Sequence, residues 1–140
     1  MGEGGNMDGS QNELDDRPPA SVLAVDDQAT FRAVLCRIVN ETHSLVVVGE
    51  ADSGETAVEM ARTLGPDLVL MDVRMPGIGG IAATTRIKGI RPGTVVVLVS
   101  TTHPEQLVEA AAECSADETV WKSELRPSLL DDIWHKHGSA

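Results

Sequence analysis

Aromatic residues are almost missing from this chain: its 140 residues include one Phe, two Trp and no Tyr. A core without rings must be aliphatic, built from Val, Leu, Ile, Ala and Met. Cysteine is scarce too, and Cys36 and Cys114 make neither a disulfide framework nor a metal-ligand spacing. The four His residues fall in no HxxH or HExxH pattern. Positive charge is short: 11 Lys and Arg face 22 Asp and Glu, a formal net charge of −11. That balance speaks against binding nucleic acid, which depends on neutralising phosphates, and against an anionic membrane surface. No apolar run approaches the roughly 18–20 residues that span a bilayer, and the N-terminus has no signal-peptide pattern. A cytoplasmic protein is expected, of a length that suits one domain.

Residues 1–19 hold five acids and one Arg among Gly and polar residues, so they are expected to form a disordered acidic tail. From Ser21 strands and helices alternate. The first strand is expected at about 21–26, followed by a helix at about 28–41 with Phe31, Val34, Leu35 and Ile38 on one face. Cys36 falls off that stripe and is expected near the surface. Leu45–Val48 reads as the second strand, and a helix over 54–64 is expected to bury Ala57, Val58, Ala61 and Leu64 before Gly65-Pro66 stops it. The third strand, 67–72, leads into a loop over Val73–Gly80 and a helix to about Lys88. Thr94–Ser100 is the strongest β run. Pro104 then suits the first turn of a helix carrying Leu107, Val108, Ala111 and Ala112. A short fifth strand, Thr119–Lys122, precedes a helix from Pro127 with Leu130, Ile133 and Trp134 on one face. Five such units imply a parallel sheet covered by helices on both faces. Its expected order is 2-1-3-4-5, the flavodoxin-like α/β arrangement. The domain is expected over 20–137, with 138–140 a disordered end.

That order sets the first and third strands side by side. Asp26 and Asp27 close Val22-Leu23-Ala24-Val25, and Asp72 closes Leu68-Val69-Leu70-Met71. Three acids brought to one sheet edge repel strongly unless one takes a proton or a cation sits between them. A hard divalent ion with oxygen ligands, Mg²⁺ above all, suits the donor set. His103 follows the fourth strand and falls near the same edge, where a loop His without a chemical role is the simpler reading.

Five positions together resemble a response-regulator receiver domain of CheY-like fold. They are Asp26-Asp27, Asp72 followed by Met75-Pro76-Gly77 and Gly80, Ser100 ending the fourth strand, and Lys122 ending the fifth. The stretch VVGEADSGETAVEMARTLGPDLVLMDVRMPG is similar to the subfamily that often carries a helix-turn-helix output domain. The resemblance implies that Asp72 accepts a phosphoryl group from a sensor histidine kinase or phosphotransfer protein. It implies Mg²⁺ held by Asp27 and Asp72, by Asp26 through a bound water, and by the backbone carbonyl of Arg74. It also implies that Lys122 and the Ser100 hydroxyl meet the phosphoryl oxygens. The face made by the fourth helix, fifth strand and fifth helix would then change its affinity for an unidentified protein partner. A phosphorylation-linked homodimer is compatible with that scheme; direct DNA or membrane binding is not expected. The implied role is a signalling module with limited self-phosphorylation and autodephosphorylation, not an enzyme with a diffusible substrate.

Departures from the family pattern are local. Thr119 stands where an aromatic switch residue is common; Trp121 is a candidate substitute, although passive packing under the last helix is the simpler expectation. Thr101 replaces a smaller residue beside the phosphoryl pocket and is expected to slow acyl-phosphate hydrolysis. Ser123 stands where proline frequently follows the lysine. Only HisLysHisGlySerAla follows Trp134, so no DNA-binding domain is expected within these residues; Met1 and the long tail favour a stand-alone receiver over an excised one. A module that never uses phosphate would not need all five positions. A Mg²⁺-dependent phosphatase would want a second acid where Arg74 stands. A flavin carrier would want a phosphate loop where Asp26-Asp27 would repel phosphate.

Overall fold

The computed structural model describes residues 17–138. The expected tail therefore lies outside the described residues over 1–16, as do residues 139 and 140 of the expected disordered end. Five parallel strands, β1 (Ala20–Val25), β2 (Leu45–Ala51), β3 (Leu68–Asp72), β4 (Val95–Ser100) and β5 (Glu118–Trp121), form one sheet in the order β2-β1-β3-β4-β5. This is the order expected from the alternation of strands and helices. The helices are α1 (Ala29–Asn40), α2 (Gly54–Leu64), α3 (Gly79–Ile90), α4 (Val108–Cys114) and α5 (Pro127–His137).

Strand alternation splits the aliphatic interior into two cores. Val22, Ala24, Leu68, Leu70, Val97 and Val99 face one way and pack with Leu35 and Val39 of α1 and Leu130 and Ile133 of α5. Leu23, Val25, Val69, Met71, Val96 and Leu98 face the other way, toward Ala57 and Ala61 of α2, Ala83 and Ile87 of α3, and Cys114 of α4. Both faces of the central strands are therefore dry, and polar groups placed there would need partners. The chain puts its acids at the ends instead.

The edge of the sheet at the strand starts is tied shut. Asp67 Oδ2 accepts from the Ser21 amide at 2.8 Å and its hydroxyl at 3.1 Å. Asp117 Oδ2 accepts from the Val96 amide at 2.8 Å and from Lys88 Nζ at 2.9 Å. These bonds, exposed at Asp67 and partly buried at Asp117, hold the strand starts and leave the opposite edge for chemistry.

Several local expectations need correction. β2 continues to Ala51 rather than stopping at Val48, because Gly49 lets the strand run beneath α2: a Cβ there would come within 2.9 Å of Leu64 Cδ1 and Met60 Cε. Leu64 itself, at the end of α2, is 46% exposed instead of buried. The fifth strand ends at Trp121, and Lys122 opens a 3-10 turn to Glu124. The expected fourth helix is a 3-10 turn, Pro104–Leu107, followed by the short α4. Its inward stripe is Leu107, Ala111 and Cys114, spaced i, i+4, i+7, so Val108 is rotated outward and 66% exposed. Cys36 is half-buried against the first core rather than at the surface, and burial followed by the nearby Glu50 charge pushes its thiol pKa up. It and Cys114 are free thiols.

Candidate functional site

β1 and β3 are neighbours with Val25 opposite Met71, so Asp26 and Asp72 leave the sheet side by side. One carboxylate oxygen from each of Asp26, Asp27 and Asp72 lies within 4.8 Å of the others. Their environments differ sharply. Asp26 is fully buried, Asp72 is 5% exposed and Asp27 is exposed. Lys122, delivered by the end of β5, places Nζ 3.1 Å from Asp26 Oδ2 and 3.4 Å from Asp72 Oδ1. The same ammonium sits 4.3 Å from the centroid of the Phe31 ring, whose electron-rich face favours a cation. The amine and all three acids thus converge, as the strand ends implied.

Local hydrogen bonds set the acids in place. Asp26 Oδ1 accepts from the Gln28 amide at 2.8 Å, fixing the first turn after β1. Arg32, one turn into α1, donates from Nη1 to the Asp26 carbonyl at 2.7 Å and pairs through Nε with Glu50 at 3.1 Å. Behind Asp72, Gly80 donates its amide to the Val73 carbonyl at 3.1 Å, and a Cβ on Gly80 would collide with the Asp72 carbonyl oxygen. Only glycine lets α3 begin this close to the strand end.

Burial, and after it the negative charge of Asp26, push the Asp72 pKa up to about 6; Lys122 opposes the shift and Asp27 adds to it. A carboxylate crowded by carboxylates is thus held near its proton. The fully buried Oδ2 of Asp26 accepts no hydrogen bond, although Lys122 stands beside it. An all-oxygen cluster with an unsatisfied buried acceptor fits a hard divalent cation. The sign of the pH dependence follows. In the cation-free protein, protonation of Asp72 contributes stability below its unfolded pKa, and that contribution is lost as pH rises through about 6. A cation competes with that proton. Mg²⁺ affinity is therefore expected to be high above pH 6 and to fall by up to about tenfold per pH unit below it. Calorimetric titration at several pH values checks this, and an affinity unchanged between pH 5 and pH 7.5 would contradict it.

Ser100 ends β4 opposite Trp121 and is buried. Its Oγ accepts from the Thr102 amide at 2.8 Å, which leaves the hydroxyl proton available to donate. Arg74 follows Asp72 in the β3–α3 loop, and its guanidinium donates to Thr102 Oγ1 at 3.4 Å. Trp121 lines a groove with Leu129 and Ile133 of the last helix, and its Nε1 also donates to the Thr101 carbonyl at 3.1 Å. The His103 ring meets that indole edge-on, with centroids 4.4 Å apart, and its Nδ1 accepts from the Glu105 amide. Residues 101–103 are thus tied to β5 and to the loop that carries Arg74. Phe31, Gln28 and Arg32 were not legible as site residues. Phe31 reads as part of the α1 stripe, and its position four residues after Asp27 was the one available signal.

The sequence matches the response regulator receiver domain family over residues 22–133. It is 43% identical over 95 residues to the response regulator GacA of Pseudomonas aeruginosa, a match covering 65% of this chain and 44% of that protein. The chain thus spans less than half the length of that relative. It is 36% identical over 112 residues to the chemotaxis protein CheY of Halobacterium salinarum, covering 80% of this chain and 92% of that one. Among solved structures, the response regulator domain of Thermotoga maritima CheB superposes with a TM-score of 0.74 at 34% identity, covering 84% of this chain and 95% of that one.

Proposed function

The chain belongs to the response regulator receiver domain family of two-component systems, and from that premise we propose that Asp72 is its phosphoacceptor. The observation that carries the assignment is the convergence of Asp72 with Asp26, Asp27 and the Lys122 amine at one sheet edge. In this reading an Asp72 carboxylate oxygen attacks the phosphorus of a phosphohistidine on a kinase or phosphotransfer protein. An O–P bond forms, the P–N bond breaks, and the electron pair leaves on the imidazole nitrogen. Asp27, Asp72 and the Arg74 carbonyl would hold Mg²⁺, and Asp26 would support it through a water. When bound, the ion neutralises charge between two like-charged reactants and holds them in line.

The protein's own residues do the rest. Lys122 offers a point charge to a phosphoryl oxygen, and Phe31 limits the directions that ammonium can take. Asp26, buried and linked to Lys122, keeps the amine near Asp72 before the phosphoryl group arrives. Ser100 donates its hydroxyl to a phosphoryl oxygen and draws residues 101–103 with it. Trp121 and His103 carry that displacement toward the surface of α4, β5 and α5, where the output partner binds. This is a local charge event biasing a two-state surface. Among the described residues no helix is long and apolar enough to cross a membrane, and the reading places the protein in the cytoplasm with its kinase.

Beryllofluoride, a tetrahedral mimic of the phosphoryl group, tests the assignment. With Mg²⁺ present, ¹⁹F NMR is expected to show a bound resonance that vanishes on chelation and in Asp72→Asn. A bound signal that survives in Asp72→Asn would place the acceptor elsewhere.

A further inference from the structure

A backbone carbonyl such as that of Arg74 is only as well placed as the loop that carries it. That loop, 73–80, holds three glycines and Pro76, so its own side chains do little to fix its shape. Its base is closed by the Gly80 amide on the Val73 carbonyl at 3.1 Å, and Arg74 ties it to Thr102 on the β4 side. A third hold comes from α2. Gly77 turns the chain with φ of 81°, a backbone that glycine adopts without steric cost. The Ile78 amide that follows donates to Glu55 Oε2 at 3.3 Å. The Glu55 carboxylate lies against Gly77 as well: a Cβ there would stand 2.6 and 2.8 Å from its two oxygens. One residue before Glu55, buried Gly54 abuts the same turn. A Cβ on Gly54 would come within 2.7 Å of the Gly79 carbonyl oxygen and 2.9 Å of Ile78 Cγ1.

An exposed acid in the first turn of a helix is ordinarily a solvated charge that suits the helix dipole. Glu55 differs because glycines at 54 and 77 let the helix start and the loop close on each other. Its own position is fixed by the Ser53 cap, whose Oγ accepts from the Thr56 amide at 3.1 Å. Among the described residues it has no ion-pair partner, so its carboxylate is committed to the loop. We propose that Glu55 is a positioning residue for the acceptor site. Through the Ile78 amide and the contact at Gly77 it holds loop 73–80, and with it the Arg74 carbonyl, in the conformation that receives Mg²⁺. The inference rests on the acceptor-site reading above and adds a residue that lies outside the acidic cluster.

The test reads Mg²⁺ affinity by calorimetry, and amide hydrogen exchange at Ile78 in the metal-free full chain. Glu55→Ala is expected to speed Ile78 exchange about fivefold or more, as local opening becomes easier. It is also expected to weaken Mg²⁺ about tenfold, the low end for residues that support a metal ligand from behind. Glu55→Gln keeps an oxygen that can accept from the amide, and is expected to restore both readouts to within about twofold of the parent chain. Glu59→Ala removes the same charge one turn along α2, where the partner is Arg62, and is expected to change neither. Unchanged Ile78 exchange in Glu55→Ala, or unchanged Mg²⁺ affinity once that amide is freed, would overturn the proposal. So would Glu55→Gln behaving like Glu55→Ala, since charge rather than positioning would then be at work. A parent chain that binds no Mg²⁺ while Ile78 stays protected refutes the acceptor-site reading, and this role with it. Mg²⁺ binding that is indifferent to Glu55 refutes the positioning role alone.

Discussion

Asp26→Asn is expected to raise the melting temperature of the Mg²⁺-free protein at pH 8 and to remove most of the further rise that Mg²⁺ brings. The two effects have one source. Asp26 is buried, its charge is the second largest cause of the raised Asp72 pKa, and its Oδ2 lacks a hydrogen bond. Neutralising it relieves repulsion that the folded state carries at high pH, on the order of 1 kcal/mol. For a domain of this size that is a shift of roughly 3–6 °C. The Gln28 amide keeps its acceptor in the Asn side chain, and Lys122 keeps Asp72 and Phe31 as neighbours. The Mg²⁺ site, however, loses one of three negative charges, and affinity is expected to drop about 10–100-fold. Because ligand stabilisation follows the ratio of free ion to dissociation constant, the Mg²⁺-dependent part of the shift shrinks accordingly. Thermal melts with and without Mg²⁺ separate the two. A lower melting point without Mg²⁺, or an undiminished response to it, would contradict this account of the acids.

The second large effect is steric. Gly80→Val is expected to cost about 2–4 kcal/mol and to abolish phosphoryl uptake, because its Cβ would displace the Asp72 carbonyl and with it the strand end that holds the acceptor. Gly89→Ala in the same helix is the internal control. It is exposed, a Cβ there meets nothing within 4 Å, and helix propensity favours Ala by roughly 0.5–1 kcal/mol. Urea denaturation should therefore move in opposite directions for two glycines nine residues apart. Comparable stability for Gly80→Val and the parent protein would mean that the close approach of α3 to β3 is dispensable.

The contrast between what was legible and what was not has physical roots. The acids at positions 26, 27 and 72 and the amine at 122 could be placed because buried parallel strands are continuous apolar runs. The residue that ends such a run has nowhere to go but the sheet edge. The parallel sheet followed from the length of the crossovers, and its order from the flavodoxin-like topology common to such units. The α4 region failed because its apolar residues are few and small. Leu107, Val108, Ala111 and Ala112 fit one stripe, while Leu107, Ala111 and Cys114 fit another turned by about 60°, and packing chose the second. Trp121 was ambiguous for a different reason. Alternation says which side of a strand a residue takes, but the indole donor found its acceptor in the Thr101 carbonyl, a contact between loops that no periodicity encodes. Phe31 was hidden by a double use, since it packs against the first core while its ring face serves Lys122.

The central claim is that Asp72 takes up a phosphoryl group at a site assembled by Asp26, Asp27 and Lys122. Intact-protein mass after incubation with acetyl phosphate and Mg²⁺ tests it most directly. The account predicts a single phosphoryl adduct on the wild-type chain, lost on chelating Mg²⁺ and lost in Asp72→Asn. An adduct of equal abundance on Asp72→Asn, or none on a folded wild-type protein that binds Mg²⁺, would contradict it.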